Sequence, residues 1–194
     1  MDESRLRQSM CQGLQQLWMR GLMAGDSGQV SAELHRRRYL TVPSRRRRID
    51  LTPAGLICVD LHGETVEGEG RVDPDAWKPH KLAYLGGQVG SAGAPADSTR
   101  PLKATVLASP PRLTALLRLL PDESELRFAD SPTVSVMDLS DEPAFQEALT
   151  RMPVVAIRGH GVFAAGADLA DALNGLELAE HAATVELVEN AMRG

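Results

Sequence analysis

The side chains with chemistry to offer are five histidines, a short run of aspartates, a dense group of arginines and two cysteines. His160 stands in a Gly159-His160-Gly161 turn between two apolar runs. An imidazole, with an ordinary pKa of about 6.5, can move a proton at neutral pH or ligate a metal ion. The bland alternative is a side chain that hydrogen-bonds only within its own turn. His35, His62, His80 and His181 lie on unrelated segments, and His80 is the nearest candidate for a partner. In the run Asp73-Pro74-Asp75-Ala76-Trp77-Lys78-Pro79-His80, either Asp75 or His80 is a candidate acid/base companion for His160.

Seven arginines fall between Arg36 and Arg48, on both sides of the extended Tyr39–Val42 run. Guanidinium groups match phosphate oxygens well, so such a cluster can hold a phosphate backbone or an acidic partner. The favoured reading is plainer: a hairpin whose charged flanks are solvated or pair with acidic surface on a neighbouring subunit. No aromatic residues interleave with the arginines for base stacking, and the chain as a whole carries a formal charge of −5, which argues against nucleic acid as a partner. Cys11 and Cys58 form no metal-type pair. Two buried free thiols in a reducing cytoplasm are expected.

These groups need elements to position them. Leu6, Met10, Leu14, Leu17, Trp18 and Leu22 recur at helical steps, which predicts a helix over residues 4–23. Three short β-rich runs follow at 30–34, 39–42 and 56–61, then a tight turn at His62-Gly63-Glu64 before 65–68, and a helix around Pro79–Leu85. The stretch Gly86–Pro101, rich in Gly, Ala, Ser and Pro, reads as a flexible surface loop. Beyond it come a buried strand at 104–108, a helix at 112–120, a strand at 133–136, and a helix at 142–152 with Ser140 as its candidate N-cap. Strands at 154–158 and 161–165 flank the His160 turn, and a long helix closes the chain from about 169 to 192.

This order implies a three-layer α/β/α domain, with a central sheet covered by helices. The 194 residues suit one domain spanning 1–194. Hydrophobic residues at 43% and charged residues at 24% exclude the disordered class, and aromatics at 4% leave the core to Leu, Val and Ala. There is no signal-peptide pattern and no apolar run of membrane-spanning length, so a cytoplasmic protein without a membrane partner is expected.

Three ordered segments carry a family likeness. Gly21-Leu22-Met23-Ala24-Gly25-Asp26-Ser27-Gly28-Gln29-Val30-Ser31 resembles a "GLxxGTSGNxS" turn. Tyr39-Leu40-Thr41-Val42-Pro43-Ser44, with Leu51-Thr52-Pro53 and Val59-Asp60, is similar to "xxITPSG…LTxxDLVxVD". Ile157-Arg158-Gly159-His160-Gly161-Val162 is close to "LLRNHGV". Together, across about Leu6 to Val188, they resemble the class II aldolase/adducin family, which implies that the central sheet is mostly antiparallel. The resemblance implies a divalent metal, usually zinc, on three histidines: two from an H-x-H at a strand end and one from the N-H-G turn. His160 matches the last. Leu107 and Ser109 stand where the H-x-H imidazoles belong, and Ala76 stands at the acid/base glutamate, with Asp75 one residue off. The positions matching the family's phosphate loops are Gly28-Gln29, Ser44-Arg45 and Asp73-Pro74. Asp73 would repel a phosphate, whereas Arg45 would attract one. The expectation is therefore a class II aldolase-like domain without metal-dependent aldol cleavage, with His160 as a remnant ligand and no cofactor. Such a domain would bind a small anionic or sugar-like molecule or serve in assembly, as a homo-oligomer and on the family's pattern a tetramer. The alternative is a divergent lyase or isomerase acting on a sugar phosphate or a small hydroxy-carbonyl compound.

Overall fold

A computed structural model describes residues 2–35, 37–90, 99–118, 125–128 and 131–193. The elements run α1 (Glu3–Met19), β1 (Gln29–His35), β2 (Arg38–Thr41), β3 (Ile57–Val59), β4 (Thr65–Glu67), α2 (Pro74–Gly86), β5 (Gln88–Val89), β6 (Arg100–Pro101) and β7 (Ala104–Ala108). They continue with α3 (Pro111–Leu117), β8 (Glu125–Phe128), β9 (Ser131–Met137), α4 (Glu142–Arg151), β10 (Val154–Ile157), β11 (Gly161–Gly166) and α5 (Leu169–Arg193). Nine strands form one sheet in the order β4-β3-β2-β1-β7-β11-β10-β9-β8. Among the described residues only the β9–β10 pairing is parallel, so the layered, mostly antiparallel sheet expected from the sequence is what the chain forms.

Strand alternation divides the core between the two faces. Val30, Leu40, Cys58, Val106, Val162 and Ala164 face one side and pack with Leu6, Met10, Leu14 and Leu17 of α1, Leu113 of α3 and Leu176 of α5. Leu107, Phe163, Val155 and Ile157 face the other and pack with Leu82 of α2 and Phe145 and Leu149 of α4. Each fully buried leucine or phenylalanine contributes on the order of 1.5–3 kcal/mol of transfer free energy. Cys11 and Cys58 are both free and buried.

The structure shifts several boundaries for identifiable reasons. α1 stops at Met19 rather than running to Met23: Gly21 turns left-handed (φ 71°) and the Leu22 N–H returns to the Leu17 carbonyl at 2.9 Å. Leu22 and Met23 are nonetheless buried, which is why the apolar pattern outlasts the helix. α2 begins at Pro74, not near Pro79, because Asp73 caps it by accepting the Asp75 N–H at 2.9 Å. Asp141, not Ser140, caps α4, accepting from the Ala144 N–H at 3.0 Å. β8 was not expected; it pairs antiparallel with β9 at the sheet edge. The ends of the expected 86–101 loop are tied together by β5–β6 pairing. Residues 91–98 of that loop, and the last two residues of the helix expected at 112–120, lie outside the described residues.

Candidate functional site

A cleft of about 320 Å³ opens where the ends of β1, β7 and the β10–β11 turn meet the start of α2. The loop leading into β1 supplies Asp26, Ser27, Gly28 and Gln29. It is a folded turn: the Ser27 hydroxyl accepts the Ala24 N–H at 3.1 Å. Gly28 has φ 80°, and a Cβ there would lie 2.8 Å from the Leu107 carbonyl oxygen. Only glycine fits between this loop and β7.

The turn after β2 supplies Ser44, Arg45 and Arg48. Arg45 is held at φ 60°, a left-handed conformation that a non-glycine residue adopts at a cost. Arg48 departs from the solvated arginine flank expected of this region, being only 3% exposed. Its Nε and Nη2 donate to the Gly28 carbonyl at 3.1 and 2.6 Å, and its Nη1 donates to the carbonyls of Pro43 and Arg46 at 3.1 and 2.8 Å. One guanidinium thereby ties the two loops together. Burial lowers its pKa to about 10, opposed by the nearby Asp26, so it stays charged at neutral pH. No pattern in the arginine run distinguishes Arg48 from its neighbours, and sequence reasoning passed over it.

α2 contributes Asp73 and Ala76. The Asp73 carboxylate is committed to capping the helix. Gln29 is similarly occupied: it is buried, and its Nε2 donates to Thr41 Oγ1 at 2.6 Å and to the Val42 carbonyl at 2.8 Å. The last wall is the end of β7, with Leu107, Ala108 and Ser109, together with Gly159 and His160. A Cβ on Gly161 (φ 117°) would meet the Ala108 carbonyl oxygen at 2.4 Å, so the histidine turn is seated directly on β7. His160 is exposed, and its Nδ1 lies 3.0 Å from the Arg158 carbonyl oxygen. A carbonyl can only accept, so Nδ1 donates, and in the neutral imidazole Nε2 is left with a lone pair.

The cleft thus brings together Gly28, Gln29, Ser44, Arg45, Asp73 and His160, as the sequence suggested, and with them Leu107, Ser109 and Ala76. It leaves out Asp75 and His80. Asp75 sits exposed in the first turn of α2 beside Ala76. His80 lies one helical turn beyond Ala76 and is fully buried. Its Nδ1 lies 3.0 Å from Ser31 Oγ and 2.7 Å from Thr105 Oγ1, and Ser31 Oγ is in turn 2.9 Å from the Tyr84 hydroxyl. The ring stacks on Trp77 (5.4 Å, 4°) and meets Phe163 edge-on (5.2 Å, 76°). Desolvation pushes its pKa down to about 3. The sequence offered no way to tell this sealed imidazole from the one on the rim.

The sequence profile of the class II aldolase and adducin N-terminal domain matches residues 8–187. The chain belongs to that family. Among solved structures, the class II aldolase-family domain described here is similar to L-fuculose-1-phosphate aldolase from Thermus thermophilus, with 25% identity, TM-score 0.77 and all of both chains covered. It is similar also to YgbL from Klebsiella pneumoniae, described as a putative aldolase/epimerase/decarboxylase, with 24% identity, TM-score 0.76, and 97% and 91% of the two chains covered. The sugar-phosphate aldolase of Thermotoga maritima shares the fold at 14% identity and TM-score 0.66, over 97% and 96% of the chains. No curated protein sequence matches.

The resemblance implies zinc, but these side chains do not fit it. Of the three positions that carry imidazoles in the family's motifs, Leu107 has no lone pair and Ser109 offers a poor zinc donor, leaving His160 alone. Among the described residues, no group of three or more His, Cys, Asp or Glu side chains could hold a metal ion. The same residues also include no helix long and apolar enough to cross a membrane.

Proposed function

We propose that this class II aldolase-family domain binds a small oxygen-rich anion in its cleft and does not perform metal-dependent aldol cleavage in the family's manner. One observation carries the reading. The backbone of the cleft is assembled, with Gly28, Ser44, Arg45 and the buried cation Arg48 on one side and His160 on the other, while Leu107, Ser109 and Ala76 occupy the metal and acid/base positions. Turn N–H groups beside a fixed positive charge favour an oxyanion. The structural neighbours act on fuculose phosphate and sugar phosphates, which makes a phosphorylated small molecule the natural first ligand to test. Assembly into a homo-oligomer, a tetramer on the family's pattern, belongs to the same proposal, and light scattering on the purified chain checks it.

The deciding measurement pairs metal analysis with calorimetric titration of glycerol 3-phosphate. We expect zinc well below one per chain and saturable phosphate binding that Arg45→Gln weakens. Stoichiometric zinc that is lost on His160→Ala would overturn the reading.

The Nδ1 contact to Arg158 supports a second reading, a metal-free lyase or isomerase. In its neutral form the exposed His160 has Nε2 available as a general base toward a bound hydroxy-carbonyl compound. The buried, neutral His80 and the outward Asp75 give it no acid/base companion in the cleft. Rates on a sugar-phosphate panel that are equal for wild type and His160→Ala would remove this reading.

A further inference from the structure

The turn that carries His160 has a second side. There, a cleft of about 340 Å³ opens between α3 and the β9, β10 and β11 strands, and it shares Ser109, Gly159 and His160 with the first. The two clefts adjoin at the imidazole, which lines both, so a ligand that spans them as one groove passes beside it. Their electrostatics differ. In the first half, Asp26 and Asp73 offset Arg45 and Arg48. In the second, Arg118 forms part of the wall, and no acidic side chain lines it among the described residues.

Three further observations point to a ligand in the second half. Arg118, at the end of α3, is exposed and makes no ion pair among the described residues. Thr114, one turn earlier on the same helix, has a buried Oγ1 with no hydrogen-bond partner, and an orphaned buried hydroxyl beside a cleft calls for an explanation. The remaining surface is hydrocarbon, from the buried Val136, Ile157 and Val162. Asp138 lies within electrostatic reach of His160, but its Oδ1 accepts the Ser140 N–H at 2.7 Å and it does not line the cleft. A guanidinium and two hydroxyls over an apolar wall offer donors to a planar carboxylate.

We propose that this half of the groove binds the carboxylate of a small organic acid whose other end lies in the first half, so that the ligand is anionic at both ends. The proposal rests on the anion-binding reading of the first half and names its ligand class. Glycerol 3-phosphate and 3-phosphoglycerate are suitable probes, because they are alike in length and differ in a hydroxymethyl against a carboxylate. Wild-type protein is expected to bind 3-phosphoglycerate at least about tenfold more tightly, as an added charge-assisted hydrogen bond would give. Arg118→Gln and Thr114→Val should each erase most of that preference while leaving glycerol 3-phosphate affinity unchanged. Neither side chain has an ion pair or side-chain hydrogen bond to lose among the described residues, so both variants should melt with the wild type. Equal affinity for the two probes, or a preference that survives both substitutions, overturns the second site and leaves the first intact. Failure of the wild type to bind either probe overturns both readings. Binding of 3-phosphoglycerate alone, dependent on Arg118, upholds the carboxylate site and removes the first half as a phosphate cradle.

Discussion

Arg48 and His80 are both basic and both buried, yet they answer burial in opposite ways. His80 faces hydroxyls and aromatic rings and gives up its charge, with a pKa of about 3. Arg48 makes four contacts to carbonyl oxygens and keeps its charge, with a pKa of about 10. Desolvation lowers both. What separates them is the starting pKa and the acceptors supplied, since carbonyl oxygens can solvate a cation and a stacked indole cannot replace water. The charged group borders the cleft and the neutral one is sealed away from it. A buried titratable residue is therefore informative about function only after its acceptors have been identified.

The comparison can be broken at its strongest point by Arg48→Met. The substitution leaves the Gly28, Pro43 and Arg46 carbonyls without their donor and should cost about 3 kcal/mol in urea unfolding. Arg48→Lys should recover only part of this, because an ammonium cannot span both loops. A loss below about 0.5 kcal/mol for Arg48→Met would mean that the guanidinium is not what holds the loops.

His80 predicts a pH dependence of definite sign. Its folded pKa of about 3 lies below the unfolded value of about 6.5, so between those two values the unfolded chain binds the extra proton. The His80 contribution is complete above about pH 6.5 and falls by about 1.4 kcal/mol for each unit below it. His80→Phe should flatten that part of the stability profile, and an unchanged acid slope would contradict the sealed, neutral imidazole. Thr105→Val, which removes the 2.7 Å contact to Nδ1, should cost about 1 kcal/mol in the same unfolding assay. The smallest effect is expected from His160→Ala. This imidazole is exposed and, among the described residues, bonded only within its turn, so its loss should change stability by less than about 0.5 kcal/mol and be felt only in ligand experiments.

Much of the fold was legible because hydrophobic spacing reports burial directly. The strands at 104–108, 154–157 and 161–166 and the long final helix lie where the pattern puts them. Periodicity overran at α1 because Leu22 and Met23 remain in the core after the helix has turned. The candidate site was legible in a different sense, as a grouping of residues. Its loops were found through the resemblance of ordered motifs, and the structure gathers nearly all of them into one cleft. Burial at a single side chain was not legible. Ala76 and His80 are four residues apart on one face of α2, yet one borders the cleft and the other lies in the core beyond it. Arg48 is one of seven arginines that look alike in the sequence.

The two glycines that close on β7 have a consequence for how the groove takes a ligand. Gly28 is pressed against the Leu107 carbonyl and Gly161 against the Ala108 carbonyl, so both jaws of the groove are mounted on adjacent peptide units of one central strand. Such a mouth has a fixed gauge. A ligand of the right length meets donors already in place and spends little entropy on ordering them, whereas one a single bond too long finds no hinge that can yield. Selection at the proposed site should therefore act through ligand length.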